Sequence, residues 1–283
     1  MKSDSPSRTA EYVAVHRAAH QLLDTPLILN DPIAMRVIDP ATAFALNANP
    51  EHQCAALSIS PFRRAFLAVR SRYAEDQLAR AVSTGCRQYV ILGAGLDTFS
   101  ARCPHPDLRI FEIDHPATQA YKIARLRDAG LASHKWVNFY PADFELQTIE
   151  AILRAANVDL NQRTFFSWLG VTQYLKQEAI MATLKYVASL PTGTEMVFDY
   201  VLSPELHSAT QRSIFDAWAP RAAASDEPFR SFFEPAEIAQ KCLSLGFTQT
   251  EDISTEDMNS RYCAGRRDGL KVESINRLFS AVV

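Results

Sequence analysis

The stretch Tyr89-Val90-Ile91-Leu92-Gly93-Ala94-Gly95 constrains the fold more than any other part of the chain. Tyr89 to Leu92 shows no polar alternation, which is what a strand buried on both faces of a parallel sheet requires. Gly93 and Gly95 let the backbone turn sharply and come close to a ligand, and Asp97 or Thr98 can accept the orphan amides of a following helix. The chain has only nine glycines, so two within three residues at the end of a buried strand mark a functional turn rather than filler. Open α/β sheets present nucleotide-bearing cofactors at such a strand, turn and helix start.

The glycine pattern narrows the cofactor. The dinucleotide fingerprint has a third glycine three residues after the second, where it allows close helix packing and access to a pyrophosphate. Thr98 stands there instead. S-adenosyl-L-methionine, which joins an adenosine to no phosphate, does not need that open helix terminus. The next strand, Leu108 to Asp114, ends in an acid 21 residues after Gly93, suited to receive ribose hydroxyls from either cofactor class. A third segment, Trp136 to Phe144, ends in Asp143-Phe144, which either accepts the adenine amino group and covers its ring or supplies a helix N-cap and a core aromatic.

Gly93-Ala94-Gly95-Leu96-Asp97-Thr98, Phe111 to Pro116 and Ala142-Asp143-Phe144 resemble the leucine carboxyl methyltransferase-like family of class I S-adenosyl-L-methionine-dependent methyltransferases, in its bacterial polyketide and small-molecule O-methyltransferase branch. The resemblance continues in order through Asn30-Asp31-Pro32, Val69 to Tyr73, Trp168 to Leu175, Glu227-Pro228-Phe229, Ser231-Phe232-Phe233, Arg261-Tyr262 and Gly265-Arg266. It implies a cofactor site that includes Arg17, Arg70, Gly93, Ala94, Gly95, Asp97, Asp114, Asp143, Phe144 and Leu169, with Arg70 holding the methionine carboxylate and Arg17 assisting. It departs at Leu169, where protein-modifying members carry a glutamate, so methylation of a phosphatase terminus is not implied.

The expected fold is α/β: a doubly wound, mainly parallel, seven-stranded Rossmann-like sheet in a single domain spanning 1–283. An N-terminal helical cap covers 1–84, a cofactor-binding core 85–202, a lid or substrate segment 203–235, and C-terminal strands 236–283 complete the sheet. The strands are expected near 88–93, 108–113, 136–142, 164–169, 194–201, Phe247 to Asp252 and Arg261 to Gly265. A hydrophobic fraction of 47% over 283 residues can bury one large core. A net charge of −3 without a basic stripe argues against nucleic acid and anionic membranes, and no signal-like or bilayer-length apolar run occurs, so the expected location is the cytoplasm. Five cysteines without CxxC pairing suggest neither a zinc site nor a disulfide frame, and no metal is expected. Nothing in the sequence indicates an oligomeric state.

Arg70 carries the sharpest physical argument. In a helix over 61–83 its neighbours one turn away are Phe66, Leu67, Tyr73 and Ala74, so its guanidinium points to the apolar face and must meet a carboxylate, of the cofactor or of the protein. Methyl transfer chiefly requires donor and acceptor held collinear and dry. A carboxylate acceptor, with a reference pKa near ~4, needs no general base, whereas a phenol near ~10 needs a base or a cation. The 203–235 segment offers His207, Arg221, Glu227 and Arg230, while Tyr174, Tyr200 and Tyr262 stand at or near expected strand ends and are candidates to orient a small-molecule substrate. The aromatic content of that segment suits an apolar or aromatic acceptor. An NAD(P)-dependent oxidoreductase and an inert cofactor-binding module remain the alternatives.

Overall fold

The computed structural model describes residues 6–131, 135–144, 146–224 and 227–283, and the side chain of Arg221 lies outside that description. Capping residues and prolines set the starts of the N-terminal helices. These are α1 (Arg8–Leu23), α2 (Ala34–Val37), α3 (Pro40–Ala48), α4 (Pro50–Ala56) and the 23-residue α5 (Pro61–Ser83). Ser7, Asp39, Asn49 and Ser60 each accept an amide hydrogen from the first turn of α1, α3, α4 and α5, and the last three of these helices open on a proline, whose missing N–H is no loss there.

Strands and helices then alternate: β1 (Gln88–Leu92), α6 (Phe99–Arg102), β2 (Arg109–Asp114), α7 (Pro116–Asp128), β3 (Val137–Pro141), α8 (Ile149–Ala155), β4 (Phe165–Trp168), α9 (Gln177–Ala188) and β5 (Glu195–Val201). They are followed by α10 (Ala209–Ala224), α11 (Pro235–Leu245), β6 (Gln249–Ile253), α12 (Thr255–Tyr262) and β7 (Asn276–Val282). The seven strands lie in the order β3-β2-β1-β4-β5-β7-β6. β1 to β5 are parallel, and β7 runs antiparallel between β5 and β6. The chain moves outward from β1 through β2 and β3, then returns to β1's other side with β4, so the carboxyl ends of β1 and β4 flank the switch point where such sheets bind ligands.

Both faces of the sheet are covered, which accounts for the uninterrupted apolar run in β1. Tyr89 and Ile91 pack with Phe66, Leu67, Tyr73 and Leu78 of α5, whereas Val90 and Leu92 pack with Phe111, Phe166, Trp168 and Ile152 on the other side. All five β1 residues are buried.

The C-terminal region differs from the sequence-based expectation. Residues 261–265 are not a strand: Arg261 and Tyr262 end α12, a turn follows, and the strand that fills the slot between β5 and β6 is Asn276–Val282. A reciprocal cap explains the helix, because Ser254 Oγ accepts from the Asp257 amide at 3.1 Å while Asp257 Oδ2 accepts from the Ser254 amide at 2.9 Å. Among the described residues no helix is long and apolar enough to cross a membrane.

Candidate functional site

A cavity of about 260 Å³ opens over the carboxyl ends of the central strands. Arg17, Arg70, Gly93, Ala94, Gly95, Asp97, Asp114, Asp143, Phe144 and Leu169 all line it, together with Tyr174, Glu227 and Arg230. Two residues expected beside the substrate do not. Tyr200 is fully buried in the core against Phe233 and Phe279, its hydroxyl on Asp252 at 3.1 Å. Tyr262 sits at the end of α12 and donates to Asp76 at 3.1 Å. The helix at 255–262 moves Tyr262 away from the strand end it was expected to occupy.

The turn after β1 is fixed by its backbone. The amides of Gly93 and Ala94 both donate to the Ile113 carbonyl, at 2.8 and 3.1 Å. Gly93 adopts φ +70°, and a Cβ there would run into the side chain of Val171. Asp114, at the tip of β2, accepts from the amides of Gly95 and His115. Burial raises its carboxyl above the ordinary range, and those two amides only partly offset it. Asp97 Oδ1 accepts from the Phe99 amide at 2.7 Å, so Asp97 rather than Thr98 serves the start of α6. Burial opposes ionisation of Asp97, but Arg17, Lys122 and Arg102 nearby hold its pKa below the usual value. Thr98 is turned inward, donating to Asp31 Oδ2 at 2.6 Å and accepting from Arg102 Nε at 3.2 Å. With Thr98 engaged there and α6 only four residues long, the site lacks the open helix terminus a pyrophosphate uses. Asp143 does not cap α8, whose N-cap is Thr148.

Arg70 is 5% exposed and projects from α5 toward β5. Its Nη1 meets Asp199 Oδ2 at 3.3 Å, so the protein supplies a carboxylate for part of the guanidinium. Asp199 also accepts from the Gly170 amide at 2.5 Å and from Asn276 Nδ2 at 3.1 Å. Gly170 has φ +74°, and a Cβ there would meet Arg70 Nη1 at 2.7 Å. Arg70 Nε remains buried with no partner among the described residues, which leaves an edge of the fork for a ligand carboxylate. Arg17 is more committed: it bonds the Leu96 carbonyl and pairs with Asp31 at 3.6 Å and Asp97 at 3.5 Å.

Helical side chains build the remaining wall. Ser7 and Thr9, at the start of α1, donate to the carboxylate of Glu227. The Arg230 amide donates to the Gln173 carbonyl at 2.7 Å, and Phe229 packs against Tyr174 with ring centroids 6.0 Å apart. Burial raises the Tyr174 phenol, which keeps it neutral. His207 lies outside the cavity lining, donating from Nε2 to the Leu202 carbonyl at 3.0 Å. Arg63 also lines the cavity, and sequence reasoning passed over it although it lies two helical turns before Arg70 on the same face. Asp199 was missed as well; its signal is a lone acid inside the apolar run of β5.

The profile of the leucine carboxyl methyltransferases matches residues 10–188. The chain belongs to the leucine carboxyl methyltransferase family. YktD of Bacillus subtilis strain 168, which bears the name of an S-adenosyl-L-methionine-dependent methyltransferase, is 33% identical over 295 aligned positions, covering 95% of each chain. A protein of the same designation from Mycolicibacterium gilvum is 32% identical over 244 positions, covering 81% of this chain and 73% of its own. A solved DUF574-family protein of Streptomyces avermitilis shares the fold, with a TM-score of 0.56 at 15% identity over 99% of this chain and 98% of its own. The family's methyl donor is S-adenosyl-L-methionine, which displaces the nicotinamide alternative. The cavity fits such a ligand: it joins a glycine turn, acids at the ends of β2 and β3, and a guanidinium with an unpaired Nε.

Proposed function

We propose that this methyltransferase is a cytoplasmic enzyme that O-methylates a small-molecule acceptor of secondary metabolism, a carboxylate ahead of a phenolic hydroxyl. S-adenosyl-L-methionine supplies the electrophilic methyl group when bound. In this reading Asp114 accepts the ribose hydroxyls and the turn from Gly93 to Gly95, with Asp97, supports the adenosyl portion. Asp143 and Phe144 receive the adenine, Leu169 packs against the donor, and Arg70, assisted by Arg17, takes the methionine carboxylate. Tyr174, Glu227 and Arg230 face the acceptor.

One observation carries the proposal: a single cavity joins the glycine turn and partly unpaired Arg70 to a wall of aromatic and helical side chains. The preference for a carboxylate follows from the acid–base groups present. Glu227 is already engaged by Ser7 and Thr9, and the Tyr174 phenol is pushed up, so neither is poised as a base. An acceptor carboxylate is ionised at neutral pH and needs none.

The test is incubation with methyl-tritiated donor and a bacterial metabolite extract. Label that enters a small molecule and is released as volatile methanol by mild alkali reports a methyl ester; alkali-stable label reports an ether. A protein that is stabilised against heat by S-adenosylhomocysteine and yet labels nothing would be an inert cofactor-binding module, and the proposal would fail.

A further inference from the structure

Three arginines on α5 each meet a carboxylate. Arg64 grips Asp24 through Nε and Nη2 at 2.7 Å each, Arg70 meets Asp199 at 3.3 Å, and Arg72 meets Asp76 at 2.8 Å. Arg63 meets none within ion-pair distance among the described residues. Its Nε is buried without a partner, and Nη1 makes a long bond of 3.4 Å to Asn276 Oδ1. The guanidinium lies over the rings of Phe66, at 5.3 Å, and Trp218, at 4.9 Å, which hold its faces and leave its N–H edge undirected. Guanidinium stays protonated even when burial lowers its proton affinity, as it does here. The result is a partly buried positive charge in the wall of a ligand cavity with no ion-pair partner among the described residues, since Asp199, whose charge favours it, is engaged by Arg70.

Its position assigns it to the acceptor rather than the donor. Arg63 stands two turns, about 10 Å, before Arg70 along α5. Its tether, Asn276, begins β7, on the opposite side of the sheet from β2, whose tip carries Asp114. Asn276 also donates to the Asp199 carboxylate that holds Arg70, so Arg63 stands next to the Arg70 end of the cavity, on the flank away from Asp114. Gln173 lines the same cavity with its Oε1 buried and without a partner among the described residues, so a donor lacking an acceptor and an acceptor lacking a donor share that space. We infer that Arg63 is the specificity-determining residue of the acceptor site and binds an anionic oxygen, carboxylate or phenolate, carried on a flat apolar body between the aromatic walls. The inference rests on the methyltransferase reading above.

The experiment uses the full chain saturated with S-adenosylhomocysteine, titrated at pH 8.5 with matched probes. Benzoate and cinnamate are compared with benzamide and cinnamamide, and 4-nitrophenolate with nitrobenzene. At least one anion should bind roughly tenfold or more tightly than its neutral partner, the yield expected of a charge-assisted hydrogen bond. The pair that shows the preference identifies the carboxylate or the phenolate class. Arg63→Gln should abolish the preference, and Arg63→Lys should restore part of it, with S-adenosylhomocysteine affinity unchanged in both. Equal binding of anion and neutral partner, absence of anion binding, or a preference that survives Arg63→Gln would overturn the inference. A weakened S-adenosylhomocysteine affinity in Arg63→Gln would also overturn it, by moving Arg63 to the donor tail. Failure of the methyltransferase reading is distinct, since the wild-type chain would then not bind S-adenosylhomocysteine at all.

Discussion

On the β1 to β3 side of the cavity the ligand-facing groups are backbone turns and short acids, several of them already satisfied by neighbouring strands. On the β5 to β7 side they are long side chains carried by α1, α5 and the 227–230 segment, where Arg63 and Arg70 each keep a nitrogen without a partner among the described residues. The first wall is rigid because Gly93, Ala94, Gly95 and Asp114 are tied into one network with Ile113 and His115. The second is held by tertiary contacts between distant segments, such as Thr9 with Glu227 and Arg70 with Asp199. In the proposed reading the preorganised backbone wall suits the adenosine end of the donor, and the side chains of the second wall serve its methionine tail and the acceptor.

Asp199 ties α5, the turn after β4 and β7 together within the second wall, and its removal should have the largest effect. Asp199→Ala leaves the Arg70 charge, the Gly170 amide and Asn276 without their shared acceptor. Breaking a buried pair in this way costs about 3–5 kcal/mol, readable as a lower urea midpoint. A loss under about 1 kcal/mol would mean that Arg70 is positioned by packing alone.

Arg70→Ala should come next in size. Asp199 keeps the Gly170 and Asn276 donors, so the fold survives, while S-adenosylhomocysteine binding weakens roughly 10- to 100-fold by calorimetry. An unchanged Kd removes Arg70 from the cofactor site and makes its ion pair purely structural. Asp114→Ala, on the rigid wall, should weaken binding about tenfold through the lost ribose bonds. If Asp114→Ala binds normally while Arg70→Ala does not, the donor lies across the second wall only, and the division described above is wrong.

The same division separates what was legible in the sequence from what was not. β1 to β5 and the turn at Gly93 could be read because buried parallel strands and positive φ impose local residue choices. Asp114 could be placed by its distance along the chain. Tyr200 and Tyr262 could not, because which face of β5 meets the core, and whether 255–262 is a helix, are decided by packing and by the Ser254–Asp257 cap. A serine with an acid three residues on is the local pattern that produces this cap. β7 was hidden by the polar Asn276, Arg277 and Ser280, which interrupt its apolar residues. Arg63 and Asp199 needed the three-dimensional juxtaposition of α5, β5 and β7, which no single segment records.

Glu195 supplies a control that belongs to neither wall. It begins β5, at the end of the strand remote from Val201, and burial pushes its carboxyl up to about 7, with Arg80 partly opposing and Glu251 adding to the rise. An unfolded glutamate titrates near ~4.3, so between that value and about 7 the folded chain holds a proton that the unfolded chain has released. The contribution to stability is therefore full below the unfolded value, declines as pH rises toward 7, and is flat above. Glu195→Gln removes the ionisation, and at pH 8 the variant should be about 1 kcal/mol more stable than wild type, with a shallower pH dependence in urea unfolding. Its affinity for S-adenosylhomocysteine should match the wild type, since Glu195 does not line the cavity. A variant that keeps the wild-type pH slope would assign that slope to other groups such as Asp114, whose raised carboxyl lines the cavity, and stability and binding would then titrate together.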